Sequence, residues 1–169
     1  LWCEVASHLG GGKIRAVGKD IEIPWNAEVI ACPGGVAVPG LIHPHTTAGL
    51  RVPNENLPEA PFVTVLDGID PNAAEYRAAL RDGVTAMHVI PGNLTRFGGL
   101  GAVLRPVGAM PEAMVIRSPS ALKVSLAGPA GETRMGQMAA LRRAFLELHR
   151  HIAGLVPREG VCYLKGFGF

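Results

Sequence analysis

Glycine and proline interrupt every apolar stretch of this chain of 169 residues, which contains 22 glycines and 14 prolines. Both residues disfavour the interior of helices and central strands, so most elements must be short. No apolar window reaches the roughly 20 residues that a membrane-spanning helix requires. We therefore predict short strands and helices, enough chain for one ordinary domain, and no membrane as a partner.

Charge and cysteine content exclude several classes of function. The formal net charge is +2 and no basic run is interleaved with aromatic residues, so we expect no nucleic acid partner. Cys3, Cys32 and Cys162 are scattered without a CxxC pair, which argues against a disulfide framework and a cysteine zinc site. The first residues lack the basic-then-apolar pattern of a signal peptide. These features predict a reducing, cytoplasmic location.

Residues 1–38 are predicted to form a β-rich segment of short strands joined by tight turns. Residues 13–17 alternate between polar and apolar, as a half-buried strand does. Further short strands are expected at 21–23 and 28–31, with glycine-containing turns at 10–12, 18–20 and 33–35. The segment reads as a small sheet or half of a sandwich.

A different pattern begins at Pro39, and residues 39–169 are predicted to form an α/β unit. A strand is expected at 41–45 and a strongly apolar one at 84–90. Between them, Asp70 can cap a helix, Pro71 suits its first position and Gly83 suits its C-terminal cap. An apolar strand that follows a helix is typical of a buried parallel sheet.

The rest of the chain is predicted to contain short strands and one long helix. A helix is expected from about Thr133, as its N-cap, to Ala153. Its apolar residues recur every three or four positions and form one stripe: Met138, Leu141, Phe145, Leu148 and Ile152. Short strands are expected near 103–104, 114–116 and 122–125.

The segment 39–50 carries the clearest chemical signal, because His43 and His45 are two residues apart at the end of a strand. Side chains of a regular strand alternate, so both imidazoles would face the same side. Two imidazoles so placed can bind a transition metal. For His43 the alternative is a hydrogen bond to the backbone; for His45 the two interpretations are balanced.

Other candidates have ordinary structural alternatives. His88 lies in the apolar strand, where a hydrogen-bonded core histidine is the simpler interpretation. The loop residues 54–56 either contact a substrate or form a turn. The run 98–101 either cradles an anion on backbone amides or forms a tight turn, since it lacks the ending of a phosphate-binding loop. Lys123 is either buried near the site or an ordinary surface lysine.

The charged residues of the last helix are expected to be solvated. They include two histidines near its end and a group of arginines: His149, His151, Arg134, Arg142 and Arg143. No nucleophile elbow, HExxH motif, or cysteine beside a suitable histidine and aspartate is present in the sequence. The sequence alone therefore does not identify the catalytic residues.

Several short motifs carry a family resemblance through their order and spacing. They lie at 12–18, 38–42, 45–46, 67–71, 82–85, 90–93, 98–99, 122–123, 133–136 and 141–142. Over roughly four-fifths of its length, the chain resembles the N-terminal half of a metal-dependent amidohydrolase of the imidazolonepropionase-like type. The resemblance implies a small β-sandwich, built partly from the N-terminal segment, followed by a partial (β/α) barrel of the TIM type that bears a metal.

The chain departs from the family at its metal motif. In the family, the sequence Asp-x-His-Thr-His follows the strand, and both histidines bind metal. Aligned on residues 39–42, His45 falls on the first ligand position, His43 on the aspartate and Thr47 on the second ligand. Threonine is a poor zinc ligand beside imidazole, carboxylate or thiolate.

The second departure is the length of chain available. A complete barrel needs about 250 residues. The family's remaining metal histidines and its catalytic aspartate belong to the second half of the barrel, and no aspartate follows residue 146 here. We expect another protein chain, or a missing C-terminal portion, to complete the barrel, since an open sheet edge invites aggregation.

Two hypotheses about function follow from the resemblance. The first is metal-assisted hydrolysis of a non-peptide carbon–nitrogen bond in a linear or cyclic amide, impaired in this chain alone. Its cofactor would be a divalent metal, zinc first, with His45 as the surviving ligand and His43 as a substitute. The second is a structural or assembly subunit, or a fragment, of the same ancestry, without catalysis and without a metal.

Overall fold

The computed structural model describes residues 6–19, 21–57, 59–127 and 131–154. The chain divides into two compact units, residues 1–39 and 40–169. Cys3, Cys162 and the C-terminal Phe169 lie outside the described residues. Within the described residues, no helix combines the length and the apolar character that a bilayer crossing would require.

The described residues of the first unit include an antiparallel hairpin, formed by β1 (Ala6–Gly10) and β2 (Lys13–Gly18). Gly11 and Gly12 join the strands with φ values of 60° and 72°, the left-handed backbone that a tight hairpin turn favours. The predicted strand at 13–17 is therefore confirmed.

The strands predicted at 21–23 and 28–31 are wrong. Those residues form no ladder in the described part of the chain, and turns occupy 25–26 and 33–34. Ile23, Val29 and Ile30 are mostly exposed. Short apolar runs form strands only when another strand accepts their backbone hydrogen bonds, and sequence spacing does not reveal that partner.

The second unit contains a four-stranded sheet in the order β3-β4-β6-β7. Its strands are β3 (Leu41–Thr46), β4 (Val84–Val89), β6 (Ala102–Leu104) and β7 (Val115–Arg117). The first two strands are parallel, whereas the other neighbouring pairs are antiparallel. A separate antiparallel pair consists of β5 (Phe97–Leu100) and β8 (Leu122–Val124).

The architecture is mixed α/β, as predicted at that level. Helix α1 (Ala74–Arg81) connects β3 to β4 and gives one strand–helix–strand unit with parallel strands. No closed barrel is present among the described residues, and antiparallel ladders follow the parallel pair. The partial barrel therefore stays a prediction.

Helix α1 begins later than the sequence suggested. Asp70 does not cap it; instead the Asp70 carboxylate accepts a hydrogen bond from the amide of Asn72 at 2.9 Å. The Ala73 amide bonds to the Asp70 carbonyl, so a separate turn precedes the helix. Gly83, with φ 79°, follows the end of α1 as predicted.

The core lies between α1 and the face of the sheet that Met87 and Val89 share. Eight buried side chains form it: Val65, Ile69, Tyr76, Met87, Val89, Ala102, Leu104 and Met114. Each large apolar member contributes about 1.5–3 kcal/mol on burial. Met114 ends the short helix α2 (Pro111–Met114), which replaces the beginning of the strand predicted at 114–116.

The last helix, α3 (Arg134–Ile152), agrees closely with prediction. The Thr133 hydroxyl accepts a hydrogen bond from the Gly136 amide at 3.1 Å and caps the helix. Its apolar stripe is poorly covered, because Phe145 is 56% and Ile152 73% exposed. Gln137 is the buried residue of α3, and its side chain donates to the Ala127 carbonyl.

Candidate functional site

His45 lies near the carboxyl end of β3 and contacts a lysine from β8. The Nζ atom of Lys123 is 3.0 Å from the Nε2 atom of His45. Lys123 is buried, with 9% of its surface exposed, whereas His45 is exposed. The buried interpretation of Lys123 is thereby confirmed, and the two nitrogens form the centre of the candidate site.

The pairing of β3 with β4 is interrupted between the two candidate ligands. His43 pairs with Met87 and Thr46 pairs with Val89, so β3 has one extra residue in this interval. An extra residue changes the alternation of side chains along a strand. The register shift therefore removes the regular alternation from which His43 and His45 were predicted to face the same side.

His88 is hydrogen-bonded at both ring nitrogens. Its Nδ1 atom lies 3.1 Å from the Pro44 carbonyl oxygen, and its Nε2 atom 2.8 Å from the Ser120 hydroxyl. A carbonyl oxygen can only accept, so Nδ1 carries a proton and, in a neutral ring, Nε2 accepts from Ser120. Hydrogen bonding of His88 is confirmed, but the residue is half-buried and lies outside the apolar core.

The loop at 54–56 is tied to the loop that follows β4. The Asn54 side chain accepts a hydrogen bond from the Leu94 amide at 2.9 Å. The Glu55 carbonyl accepts one from the Thr95 hydroxyl at 3.2 Å. These contacts favour a structural role for the loop.

The glycine-rich run at 98–101 does not offer a cradle of free amides. The amides of Leu100 and Gly101 bond to the carbonyls of Val63 and Ala121 at 2.8 Å each. Gly99 has φ 106° and no space for a side chain, because Val63 and Ala60 pack against it. The run therefore allows close packing, as the turn interpretation implied.

A buried arginine that sequence reasoning missed joins two distant segments. The Arg96 guanidinium contacts Glu59 at 2.8 Å and both carboxylate oxygens of Glu132 at 2.8 and 2.7 Å. The hydrogen bond and charge of Glu132, followed by those of Glu59, raise the pKa of Arg96 despite its burial. Ser120 was also not predicted. The partners of Arg96 and Ser120 lie more than 30 positions away in the sequence, so neither residue forms a local motif.

No group of three or more histidine, cysteine, aspartate or glutamate side chains is close enough to hold a metal within the described ranges. The Nε2 atom of His45 also has Lys123 as its partner. His149 and His151 lie on the last turn of α3.

Comparison with known proteins gave one informative structural match. No protein-family model and no curated protein sequence matches the chain. The structure is similar to that of an amidohydrolase from Thermotoga maritima MSB8, with a TM-score of 0.79 and 27% sequence identity. The match covers 88% of this chain and 44% of the Thermotoga chain. This likeness supports the amidohydrolase superfamily and no finer assignment.

Proposed function

We propose that the chain is the N-terminal part of a hydrolytic site for a non-peptide carbon–nitrogen bond, in a linear or cyclic amide. The observation that carries the proposal is the position of His45. It stands at the carboxyl end of a parallel strand, in a fold similar to that of an amidohydrolase. Active sites of (β/α) barrels lie at that end of the strands.

The proposal requires that further groups complete the site. The chain spans less than half of the Thermotoga amidohydrolase. We infer that the remaining strands come from sequence outside these residues or from another protein chain. Among the described residues β3 is an edge strand of its sheet, which is consistent with a further strand beside it.

Zinc is the cofactor that this proposal implies, with His45 as the ligand that the chain supplies. A bound zinc would supply an activated water near neutral pH. The chain's own part is to present the His45 imidazole, and binding of zinc through Nε2 would require that atom to exchange its 3.0 Å contact with Lys123 Nζ for the metal. His43 is the substitute ligand if the strand rearranges.

A second candidate function is a non-catalytic subunit of the same ancestry. Thr47 stands at the second ligand position of the family motif, where threonine is a poor zinc ligand. This residue favours a protein that keeps the fold for assembly.

The two functions separate in one experiment on the natural-length gene product, purified with any chain that accompanies it. Under the first proposal it hydrolyses members of a panel of linear and cyclic amides when loaded with zinc. His45→Ala lowers kcat/KM by about a hundredfold or more, as expected for loss of a metal ligand. His149→Ala, on the exposed end of α3, is the control and keeps full activity.

A natural-length protein that binds no zinc and hydrolyses no amide would favour the assembly function. Full activity of the 169-residue chain alone would contradict the requirement for completion.

A further inference from the structure

The carboxyl end of β3 contains a bulge that faces a single residue of β4. The register passes from His43 opposite Met87 to Thr46 opposite Val89, which leaves Pro44 and His45 opposite His88. A bulge bends its strand and re-aims the side chains within it. The direction of His45 therefore depends on what holds the bulge in place.

His88 holds the bulge through the carbonyl of Pro44. Proline has no N–H to donate, so its carbonyl is the group by which this position can be fixed. His88 Nδ1 donates to that carbonyl at 3.1 Å. A side chain of the facing strand thus contacts the backbone of the bulge directly.

Ser120 holds the opposite side of the same ring. Its hydroxyl lies 2.8 Å from His88 Nε2, and its amide bonds to the Gly101 carbonyl at 2.9 Å. A Cβ atom added to Gly101 would lie 2.9 Å from the Val89 carbonyl oxygen, 3.0 Å from His88 Nε2 and 3.2 Å from the Ser120 hydroxyl, so the Val89 backbone favours glycine beside the pair. The ring is confined by both its hydrogen bonds and its packing.

The segment that contains Ser120 also provides Lys123, which contacts His45. His45 is consequently held along two routes. One route runs from His88 to the backbone of the neighbouring Pro44, and the other from Ser120 along the chain to Lys123.

We propose that His88 and Ser120 are positioning residues, which fix the bulge at 44–45 and thereby the orientation of His45 toward Lys123. The importance of that orientation for hydrolysis rests on the proposed function. The contacts of His88 and Ser120, and the test of their role, are independent of the proposed function.

The test is heteronuclear NMR of the His45 ring nitrogens at alkaline pH, where imidazoles are neutral. An ammonium group only donates, so its bond to Nε2 places the His45 proton on Nδ1. His88→Phe keeps a ring and removes both hydrogen bonds. We expect the ratio of the Nδ1–H to the Nε2–H form of His45 to fall about fivefold, as for loss of one ordinary hydrogen bond.

Two further variants and one control make the outcome decisive. Ser120→Ala should change the ratio in the same direction, whereas His88→Gln, which keeps one donor and one acceptor, should restore it. His149→Phe replaces an exposed histidine on α3 and should leave it unchanged. If His88→Phe does not fold, Ser120→Ala decides, because it deletes a single oxygen.

A wild-type ratio in folded His88→Phe or folded Ser120→Ala overturns the positioning role. The ratio of the two His45 forms can be measured whether or not the protein hydrolyses an amide. Failure of the proposed function is therefore distinguishable from failure of the inference.

Discussion

Gly49 lies against the ring of Tyr76 with φ 79°, so both the backbone and the available space require glycine there. The Tyr76 hydroxyl donates to the carbonyl of the adjacent Ala48 at 3.0 Å. These contacts fix the loop that leaves β3 against α1. The sequence shows a glycine at this position but does not indicate that the Tyr76 ring packs against it.

Gly49→Ala should therefore destabilise the chain by more than about 1 kcal/mol, because it adds backbone strain and a clash. Gly136→Ala is the matched control. It lies in α3, where an added Cβ meets its nearest neighbour at 3.5 Å, so we expect a gain of about 0.5–1 kcal/mol. Urea unfolding of both variants measures the free energy of unfolding, which should fall in Gly49→Ala and rise in Gly136→Ala. Equal effects would contradict this account of Gly49.

Tyr76 should make stability fall at high pH. Burial first, then the charges of Glu75 and Asp70, raise its pKa from 10.0 to about 12. The folded state retains the phenolic proton more strongly, so this stabilisation is complete below pH 10 and is lost as the pH rises toward 12.

The chain has two tyrosines, so Tyr163→Phe isolates the ultraviolet titration of Tyr76. A Tyr76 midpoint at the ordinary value in the folded protein would contradict the burial described here.

At the scale of elements, the sequence predicted the features that depend on residues close together in the chain. The Thr133 cap, the glycine after α1 and the hairpin at Gly11-Gly12 each depend on a few neighbouring residues, and each is confirmed. The false strands at 21–23 and 28–31 needed a distant partner that periodicity cannot reveal. The bulge at 44–45 escaped prediction for the same reason, since it is defined by β4, some 40 residues away.

Arg96 shows an element-scale link that no local signal marks. Its guanidinium joins the segment at Glu59 to Glu132, two residues before α3 begins. Since Glu132 accepts two of its hydrogen bonds and Glu59 one, Glu132→Gln should cost more stability than Glu59→Gln.

Because both carboxylates are partly exposed, we expect about 1 kcal/mol for Glu132→Gln and less for Glu59→Gln. Chemical denaturation with amide-exchange detection at the start of α3 measures the effect. A larger loss of stability in Glu59→Gln than in Glu132→Gln would contradict the stronger hydrogen bonding of Arg96 to Glu132.

At the scale of the whole molecule, the sequence predicted mixed α/β structure and a candidate site near His45. The burial of Lys123 was one of two stated alternatives, whereas its contact with His45 and the link between His88 and Ser120 were not predicted. Both contacts join segments from different parts of the chain, whose meeting only the fold determines. The structural match, which covers 44% of the Thermotoga amidohydrolase, supports the proposed role of His45.

Zinc binding by the natural-length protein, measured by equilibrium dialysis, tests the central proposal most directly. The account predicts at least about one equivalent for that protein and for His149→Ala, and at least a tenfold weaker affinity for His45→Ala. It also predicts less than about one tenth of an equivalent for the 169-residue chain alone, because the proposal assigns His45 as the ligand that this chain supplies. Zinc binding that His45→Ala leaves unchanged would contradict the account.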